Sequence, residues 1–218
     1  MRITAWNVNR NLQQKICDRD FCAIIADYDI IFLSECWIRP GTVLECDNLC
    51  NTFEYKCFPR LKGTGGGLVL FYRKTLGKAV SVVKCVEDTL IWLKIEQRGY
   101  PNVYICFAYI PHDHNVYYTK YDSDLFDCIL KDMSIFTQSG TVILAGDLNS
   151  RVGKLPDYIE DSLATPVHDM FSNVIDYRSD VRMSCRVSKD TKVNSFGKKL
   201  LELCKSTGLR ISNVKIHL

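Results

Sequence analysis

The stretch Thr141-Val142-Ile143-Leu144-Ala145-Gly146-Asp147-Leu148-Asn149-Ser150 decides the fold of this chain. Its β-branched and aliphatic residues, flanked by Gly140 and Gly146, predict a strand buried on both faces. The strand ends in Asp147, and Asn149 follows two residues later. Because ligands of open α/β sheets gather at the carboxyl ends of strands, both polar side chains are candidates for chemistry. On this stretch alone, an ordinary turn role is an equally good interpretation.

Length and composition indicate one soluble α/β domain spanning residues 1–218. The 218 residues are enough for one sizeable core, and 47% hydrophobic with 24% charged residues is ordinary for a globular chain. No apolar run reaches the roughly 18 to 20 residues that cross a bilayer, and no signal core follows Met1. We expect an intracellular protein, nuclear or cytoplasmic, that does not associate with membranes.

Eleven cysteines raise the question of disulfides or a metal site. The count is odd, and several cysteines lie in apolar runs, where cysteine behaves as a small hydrophobe. The only local cluster is Cys46, Cys50 and Cys57, which lacks paired CxxC spacing and a nearby histidine. Reduced structural thiols are therefore favoured over a zinc site.

The charge of the chain is distributed unevenly. Residues 178–210 carry nine Lys or Arg against three Asp or Glu, a net charge of +6, whereas residues 1–177 have a net charge of −4. A basic segment of this kind suits an anionic polymer, although a solvated basic face is the commoner explanation. The candidate nucleic-acid-binding residues in it are Arg182, Arg186, Lys189 and Lys192.

The first part of the chain predicts a strand, a helix and a second strand. The strand over Arg2–Val8 ends near Asn7, apolar residues at helical spacing follow from Leu12 to about Ala26, and a buried strand over Asp29–Glu35 ends in Glu35.

The middle of the chain predicts five strands joined by short turns, which favours antiparallel pairing. The candidates are Phe53–Phe58, Gly67–Tyr72, Val80–Val83, Leu90–Ile95 and Val103–Tyr109. The glycine-rich run Lys62–Gly67 precedes a strand and lacks the Gly-Lys-Ser/Thr ending, so it is a weak match to a phosphate-binding loop.

The last third predicts two helices, a long irregular stretch between them, and a final strand. One helix covers Leu125 to Phe136, with Asp122 or Ser123 as N-cap. After the strand that ends at Asp147, an irregular stretch runs to about Val193. Asn194 or Ser195 begins the next helix, Gly208 ends it, and a strand begins over Leu209–Asn213.

Four separate strands end in polar groups, namely Asn7, Glu35, Tyr109 and the pair Asp147/Asn149. Each group alone is explained by a cap or a turn, but side by side they would form a cluster at one edge of the sheets. Hard oxygen ligands such as Glu35 suit Mg²⁺, which keeps most of its waters and borrows oxygens from a phosphate. Phosphodiester cleavage requires such a metal and a group that orients water. The set as a whole therefore favours a function.

Five motifs in register resemble the endonuclease/exonuclease/phosphatase superfamily, which includes deoxyribonuclease I and the apurinic endonucleases. They are Trp6-Asn7-Val8-Asn9, Leu33-Ser34-Glu35-Cys36-Trp37, Gly65-Gly66-Gly67-Leu68-Val69-Leu70, Ala108-Tyr109-Ile110-Pro111 and Ala145-Gly146-Asp147-Leu148-Asn149. Within the superfamily, residues 188–211 look like the endonuclease domain of non-LTR (LINE-type) retrotransposons.

The resemblance implies a four-layer α/β/β/α sandwich with the active site at one edge of the paired sheets, and metal-dependent nicking of DNA. By motif, Glu35 would bind Mg²⁺ (with Mn²⁺ as an alternative), assisted by Asn7. Asp147 would orient the attacking water, Asn149 would hold the phosphate and the water, and Tyr109 would stabilise charge on phosphorus. We expect a monomer that binds DNA.

The chain departs from the family pattern at two places. His112 stands where apurinic endonucleases often have Asn, and we interpret His112 and His114 as surface loop residues. The final Asp-bearing strand and Ser-Asp-His motif do not occur, and His217 does not replace them, so the domain is expected to be carboxy-terminally incomplete. A catalytically impaired remnant that still binds nucleic acid, and a phosphatase or phosphodiesterase of the same superfamily, remain alternatives.

Overall fold

The computed structural model describes residues 1–45, 47–60, 66–113, 115–120, 124–159 and 188–212. These residues belong to two compact units. The first consists of Met1–Asp122 and Lys131–Asn149, and the second of Ser123–Leu130 and Ser150–Leu218. The single domain over residues 1–218 stays a prediction. Within the described ranges, no helix has the length and apolar character needed to span a bilayer.

The first unit contains two four-stranded sheets. The first sheet has the order β1-β2-β4-β3, with β1 parallel to β2 and the other neighbours antiparallel. Its strands are β1 (Ile3–Asn7), β2 (Ile30–Ser34), β3 (Phe53–Phe58) and β4 (Leu68–Arg73).

The second sheet has the order β5-β6-β7-β8, and only β7 and β8 are parallel. Its strands are β5 (Val80–Val86), β6 (Leu90–Ile95), β7 (Asn102–Tyr109) and β8 (Gly140–Asp147). The 3₁₀ segment Lys74–Ala79 links the two sheets. The antiparallel pairing predicted for the middle strands is confirmed for β3 with β4, β5 with β6 and β6 with β7, whereas β4 and β5 lie in different sheets.

Six α-helices are described in addition: α1 (Leu12–Cys17), α2 (Arg19–Ala26), α3 (Asp47–Cys50), α4 (Tyr117–Lys120), α5 (Leu125–Phe136) and α6 (Ser195–Thr207). The single helix predicted from Leu12 to Ala26 is wrong, because α1 ends at Cys17 and α2 begins at Arg19. Asp18 has an extended backbone, and its carboxylate accepts hydrogen bonds from the backbone N–H groups of Asp20 and Phe21. It is the N-cap of α2.

Apolar contacts at three interfaces hold the layers of the first unit together. Between the sheets, the rings of Phe32 and Phe107 stack with centroids 5.0 Å apart. On the outer face of the first sheet, α1 and α2 bury apolar side chains against β2 and β4. On the outer face of the second sheet, the ring of Phe136 lies 4.7 Å from those of Trp92 and Tyr104. These contacts form the predicted helix–sheet–sheet–helix layers.

In the second unit, Asn194 organises the start of α6. Its Oδ1 accepts hydrogen bonds from the backbone N–H of Gly197 (2.7 Å) and of Arg151 (2.9 Å). The Arg151 guanidinium makes two 2.8 Å hydrogen bonds to the Asp190 carboxylate, which lowers the pKa of Asp190 to about 2. Gly208, with φ of 74°, ends α6. The predicted Asn194 cap and Gly208 stop are confirmed.

Two details of the predicted last third are different in the structure. The N-cap bond of α5 comes from Asp124, whose Oδ1 accepts from the Phe126 N–H at 2.9 Å, while the predicted caps at positions 122 and 123 lie outside the described residues. The strand predicted from Leu209 is absent over residues 209–212. The reason is that the N–H of Ile211 donates to the buried Asp157 carboxylate at 2.6 Å instead of to a strand.

The cysteines of the described residues are all free thiols. Burial raises the pKa of the Cys36 and Cys106 thiols above their ordinary value, so both are protonated at neutral pH. Such thiols pack as small apolar groups.

Gly146 is required for the parallel pairing of β7 and β8. It faces Ala108 with φ of 128°, and an added Cβ would lie 2.0 Å from the Ala108 carbonyl oxygen. We expect Gly146→Ala to lower the free energy of unfolding by about 3 kcal/mol or more, from backbone strain plus steric overlap. Urea denaturation measures this change.

Gly99→Ala is the matched control for that variant. Gly99 has φ of 81°, but nothing lies within 4 Å of its added Cβ, so only the backbone strain of about 1–2 kcal/mol remains. Equal losses in the two variants would contradict the close approach of β7 and β8.

Candidate active site

Two pairs of parallel strands bring the predicted site residues to one edge of the first unit. In the first sheet Asn7 is in register with Ser34, so Glu35 follows directly at the same edge. In the second sheet Tyr109 is in register with Asp147. Because parallel strands end on the same side, two polar groups of each sheet lie at this edge. Contacts between β1 and β8 bring the two sets together.

The amide of Asn7 connects the two carboxylates of this edge. Its Nδ2 donates hydrogen bonds to Glu35 Oε1 and to Asp147 Oδ2, each at 2.8 Å. The hydroxyl of Tyr109 donates to the same Glu35 Oε1 at 3.0 Å. Four residues that lie far apart in the sequence therefore form one hydrogen-bonded cluster, in which two acidic groups are neighbours.

Glu35 reaches the cluster through a left-handed backbone conformation, with φ of 54°. Such a conformation costs a non-glycine residue about 1–2 kcal/mol. Three backbone hydrogen bonds surround it, from Arg10 N–H to Glu35 O (2.9 Å), from Cys36 N–H to Gly67 O (3.0 Å) and from Trp37 N–H to Gly66 O (2.7 Å). At about 1 kcal/mol each, these bonds offset the strain.

A buried ion pair supports the glycines that hold this turn. Asp88 is buried, and its Oδ2 accepts hydrogen bonds from Arg60 Nε at 2.6 Å and from the Gly67 N–H at 3.2 Å. A Cβ on Gly66 would lie 2.5 Å from both Arg60 Cζ and Asp88 Oδ2. Sequence reasoning missed Arg60 and Asp88, because a lone Asp in a turn gives no signal that it is buried.

Asp147 is held from its other side by Asn149. The backbone N–H of Asn149 donates to Asp147 Oδ1 at 3.1 Å, and Asn149 Nδ2 donates to the Ile110 carbonyl at 2.8 Å. Asn149 has φ of 47°, a conformation that asparagine tolerates better than most residues. The structure thus places Asn149 beside Asp147, as the sequence predicted.

Tyr109 keeps its proton under physiological conditions. Burial raises the pKa of the Tyr109 phenol well above its ordinary value, and the neighbouring Glu35 carboxylate raises this pKa further. The phenol is therefore a hydrogen-bond donor at neutral pH. A donor at this edge can contact Glu35, as observed, or an anionic oxygen of a ligand.

The donor set of the cluster fits a magnesium-type ion. Glu35 Oε1 already accepts two hydrogen bonds, whereas Oε2 has no hydrogen-bond partner within the described residues. Asp147 supplies a second carboxylate, and no third His, Cys, Asp or Glu of the described residues joins the group. Mg²⁺ is commonly held by one or two carboxylates plus water and phosphate oxygens. Asn7 faces the carboxylates with its nitrogen, so its contribution in this arrangement is to orient them.

The remaining predicted residues lie elsewhere or are not described. His112 is exposed, and its Nδ1 donates to the Asp113 carbonyl at 2.7 Å. Lys189 and Lys192 are exposed residues of the second unit. The others, His114, Arg182, Arg186 and His217, lie outside the described residues. The nucleic-acid-binding role of the four basic residues stays a prediction.

The layered sheets and the polar cluster at their common edge define a DNase-I-like α/β fold. The family model described as Endonuclease/Exonuclease/phosphatase family matches residues 4–168. The chain belongs to this family, whose members are hydrolytic nucleases and phosphatases that generally depend on divalent metals. No curated protein sequence matches the chain.

Several solved structures are similar to this chain at low sequence identity. The Neisseria 3' phosphatase NExo, bound to a product DNA hairpin, is 15% identical over 93% of this chain and 71% of its own, with a TM-score of 0.51. An AP endonuclease from Archaeoglobus fulgidus is 18% identical over 93% and 70%, with a TM-score of 0.46. Humanized D. rerio TDP2 is 19% identical over 69% of this chain, with a TM-score of 0.48, and the match spans 63% of that protein.

The bridging role of Asn7 predicts a charge-dependent loss of stability in Asn7→Asp. The substitution removes the donor and adds a third negative charge, so we expect it to lower the free energy of unfolding at pH 7 by about 1–3 kcal/mol. Dissolved salt screens the added repulsion. The destabilisation should therefore shrink as the NaCl concentration rises, and thermal unfolding over a range of NaCl concentrations measures it.

Asn115→Asp provides the matched control. Asn115 Oδ1 accepts a hydrogen bond from the Tyr117 N–H at 2.9 Å, an interaction that a carboxylate preserves. Added Mg²⁺ should restore more stability to Asn7→Asp than to Asn115→Asp, which keeps the wild-type cluster. A loss in Asn7→Asp that neither NaCl nor Mg²⁺ changes would contradict the bridging geometry.

Proposed function

We propose that this chain is a divalent-metal-dependent DNA endonuclease of the non-LTR (LINE-type) retrotransposon kind, which nicks DNA by phosphodiester hydrolysis. The observation that carries the proposal is the cluster in which Asn7 Nδ2 bridges Glu35 and Asp147 at 2.8 Å. Two adjacent carboxylates at the carboxyl ends of parallel strands suit a cation and a phosphate better than they suit an uncharged ligand.

Each residue of the cluster would have its own role in the hydrolysis of a phosphodiester. Glu35 Oε2 would hold Mg²⁺ or Mn²⁺, and a cation there would polarise the phosphoryl oxygen and neutralise charge on the leaving group. Asp147 would orient the attacking water and accept its proton. Its own position is fixed on both oxygens, by Asn7 Nδ2 and by the Asn149 N–H.

Neutral donors would complete the site around the phosphate. The protonated Tyr109 hydroxyl would donate to a non-bridging oxygen as charge develops on phosphorus. Asn149, tied to Asp147 and to Ile110, would hold the phosphate and the water. Asn7 would keep both carboxylates in place.

The assignment to the retrotransposon kind rests on the resemblance over residues 188–211. In the structure, Asp190 of this run forms an ion pair with Arg151, and Asn194 caps α6. Lys189 and Lys192 remain exposed beside them, which supports a role in binding the anionic backbone of DNA together with Arg182 and Arg186.

Nicking of supercoiled plasmid DNA tests the proposed chemistry. The wild-type chain should convert supercoiled plasmid to open circles in Mg²⁺ or Mn²⁺, and chelation should stop the reaction. Glu35→Gln and Asp147→Asn should each lower the rate by roughly 10³-fold or more, because each removes one member of a cooperating set.

Glu96→Gln is the matched acidic control. Glu96 is exposed at the other end of the sheet, where its carboxylate accepts a hydrogen bond from Lys94 at 2.6 Å, so its loss should leave the nicking rate unchanged. A wild-type chain no faster than the Glu35 and Asp147 variants would refute the proposal. Salt-dependent DNA binding without nicking would favour the impaired remnant, and hydrolysis restricted to small phosphate esters would favour the phosphatase alternative.

A further inference from the structure

An arginine and a tryptophan beside the cluster have no part in the chemistry proposed above. Trp37 follows Glu35 by two residues, and its side chain is 40% exposed. The guanidinium carbon of Arg10, which is also exposed, lies 4.2 Å from the centre of the Trp37 ring. A guanidinium at this distance from an indole face makes a cation–π contact, which limits the motion of both side chains.

The backbone fixes this pair relative to Glu35. The N–H of Arg10 donates to the Glu35 carbonyl at 2.9 Å, and the N–H of Trp37 donates to the Gly66 carbonyl at 2.7 Å. Both residues have left-handed backbones, with φ of 75° and 53°. The turn that presents Glu35 therefore carries Trp37 and is hydrogen-bonded to Arg10, which lies between β1 and α1, and all three residues belong to the first unit.

The charges around the cluster show which cation is available to a ligand. Two carboxylates at the edge repel a phosphate backbone. The divalent cation proposed above would compensate this charge at the scissile phosphate, so a neighbouring phosphate needs a further cation. Arg60 is paired with the buried Asp88, and Lys15 Nζ donates to the Val8 carbonyl. No carboxylate of the described residues pairs with Arg10, which leaves its guanidinium able to contact a phosphate.

We propose that Arg10 and Trp37 form a subsite for the nucleotide next to the scissile phosphodiester. This proposal rests on the proposed function, and it concerns the nucleotide beside the scissile phosphate, which the carboxylates do not contact. The exposed indole stacks with the base of an unpaired or terminal nucleotide, and the guanidinium contacts the adjoining phosphate. Stacking on an aromatic side chain tolerates any base, so the subsite adds affinity with little sequence preference.

Binding measurements that do not depend on cleavage test the subsite. In the full chain with Asp147→Asn, the affinity for a short single-stranded DNA and for its base-free abasic analogue is measured by fluorescence anisotropy in Mg²⁺. Adding Trp37→Ala should weaken DNA binding by about 5- to 100-fold and leave binding of the abasic analogue unchanged. Adding Arg10→Ala should weaken the binding of both DNAs. It should also lower the slope of log affinity against log salt concentration by about 1, as expected for the loss of one phosphate contact.

Conservative variants and a distant pair serve as controls. Trp37→Phe keeps an aromatic face and should recover most of the affinity, and circular dichroism checks that each variant is folded. Arg98 and Tyr100 are an exposed arginine and an exposed aromatic in the turn before β7, whereas Tyr109 ends that strand at the active site. Arg98→Ala and Tyr100→Ala should change neither affinity.

The outcomes separate this proposal from the proposed function. Equal DNA affinity in Trp37→Ala and Tyr100→Ala, or no DNA binding at all, overturns the subsite. If Trp37→Ala weakens DNA binding but the wild-type chain nicks no DNA, the subsite is supported and the proposed chemistry is rejected. Nicking whose KM does not change in Trp37→Ala or Arg10→Ala supports the chemistry and rejects the subsite.

Discussion

The amide nitrogen of Asn7 holds two carboxylates at one edge of the sheets, and the site depends on this interaction. Both bonds measure 2.8 Å, so the two acceptor oxygens are at most about 5.6 Å apart. Two unit charges at roughly that distance repel by about 3 kcal/mol at an effective dielectric constant of 20. Hydrogen bonds to charged groups contribute about 1.5–3 kcal/mol each, so the two bonds together, about 3–6 kcal/mol, offset a repulsion of this size. A divalent cation between the carboxylates would shift this balance decisively.

The fold makes such a cluster possible because it ends two parallel strand pairs at the same edge. Rigid strands place Asn7 and Tyr109, and single left-handed residues immediately beyond the strands place Glu35 and Asn149. Site residues that are mounted on strands and fixed by surrounding hydrogen bonds lose little freedom on binding a ligand. The turn at Glu35 also carries Trp37 and is hydrogen-bonded to Arg10 in the loop after β1, so the same local geometry positions the cluster and the proposed subsite.

The sequence predicted the cluster because the signals involved are local. Apolar runs that end in Asn7, Glu35, Tyr109 and Asp147 mark strands and their termini, and the fold brings those termini together. The prediction that the strand ending at Asp147 is buried on both faces is wrong, because none of the residues of β8 is buried. The sequence could not predict the Arg60–Asp88 pair, since two polar residues 28 positions apart show no periodicity.

Two secondary-structure predictions failed for related reasons. The amphipathic pattern continues through Asp18, although the Asp18 carboxylate caps a new helix. The spacing of apolar residues cannot reveal a capping side chain in the middle of such a pattern. The apolar residues after Gly208 resemble a strand, but the Asp157 side chain takes the backbone N–H of Ile211. In both cases one side-chain carboxylate competes with regular backbone pairing.

A crystal structure of the chain grown with Mn²⁺, with the metal located by its anomalous signal, would show whether Glu35 and Asp147 hold one divalent cation. We expect one anomalous peak at the edge where β1 and β8 end, with an oxygen of Glu35 about 2.0–2.2 Å from it, Asp147 beside it and Asn7 between the carboxylates. A peak bound by other residues, or Glu35 and Asp147 on separate parts of the surface, would contradict it.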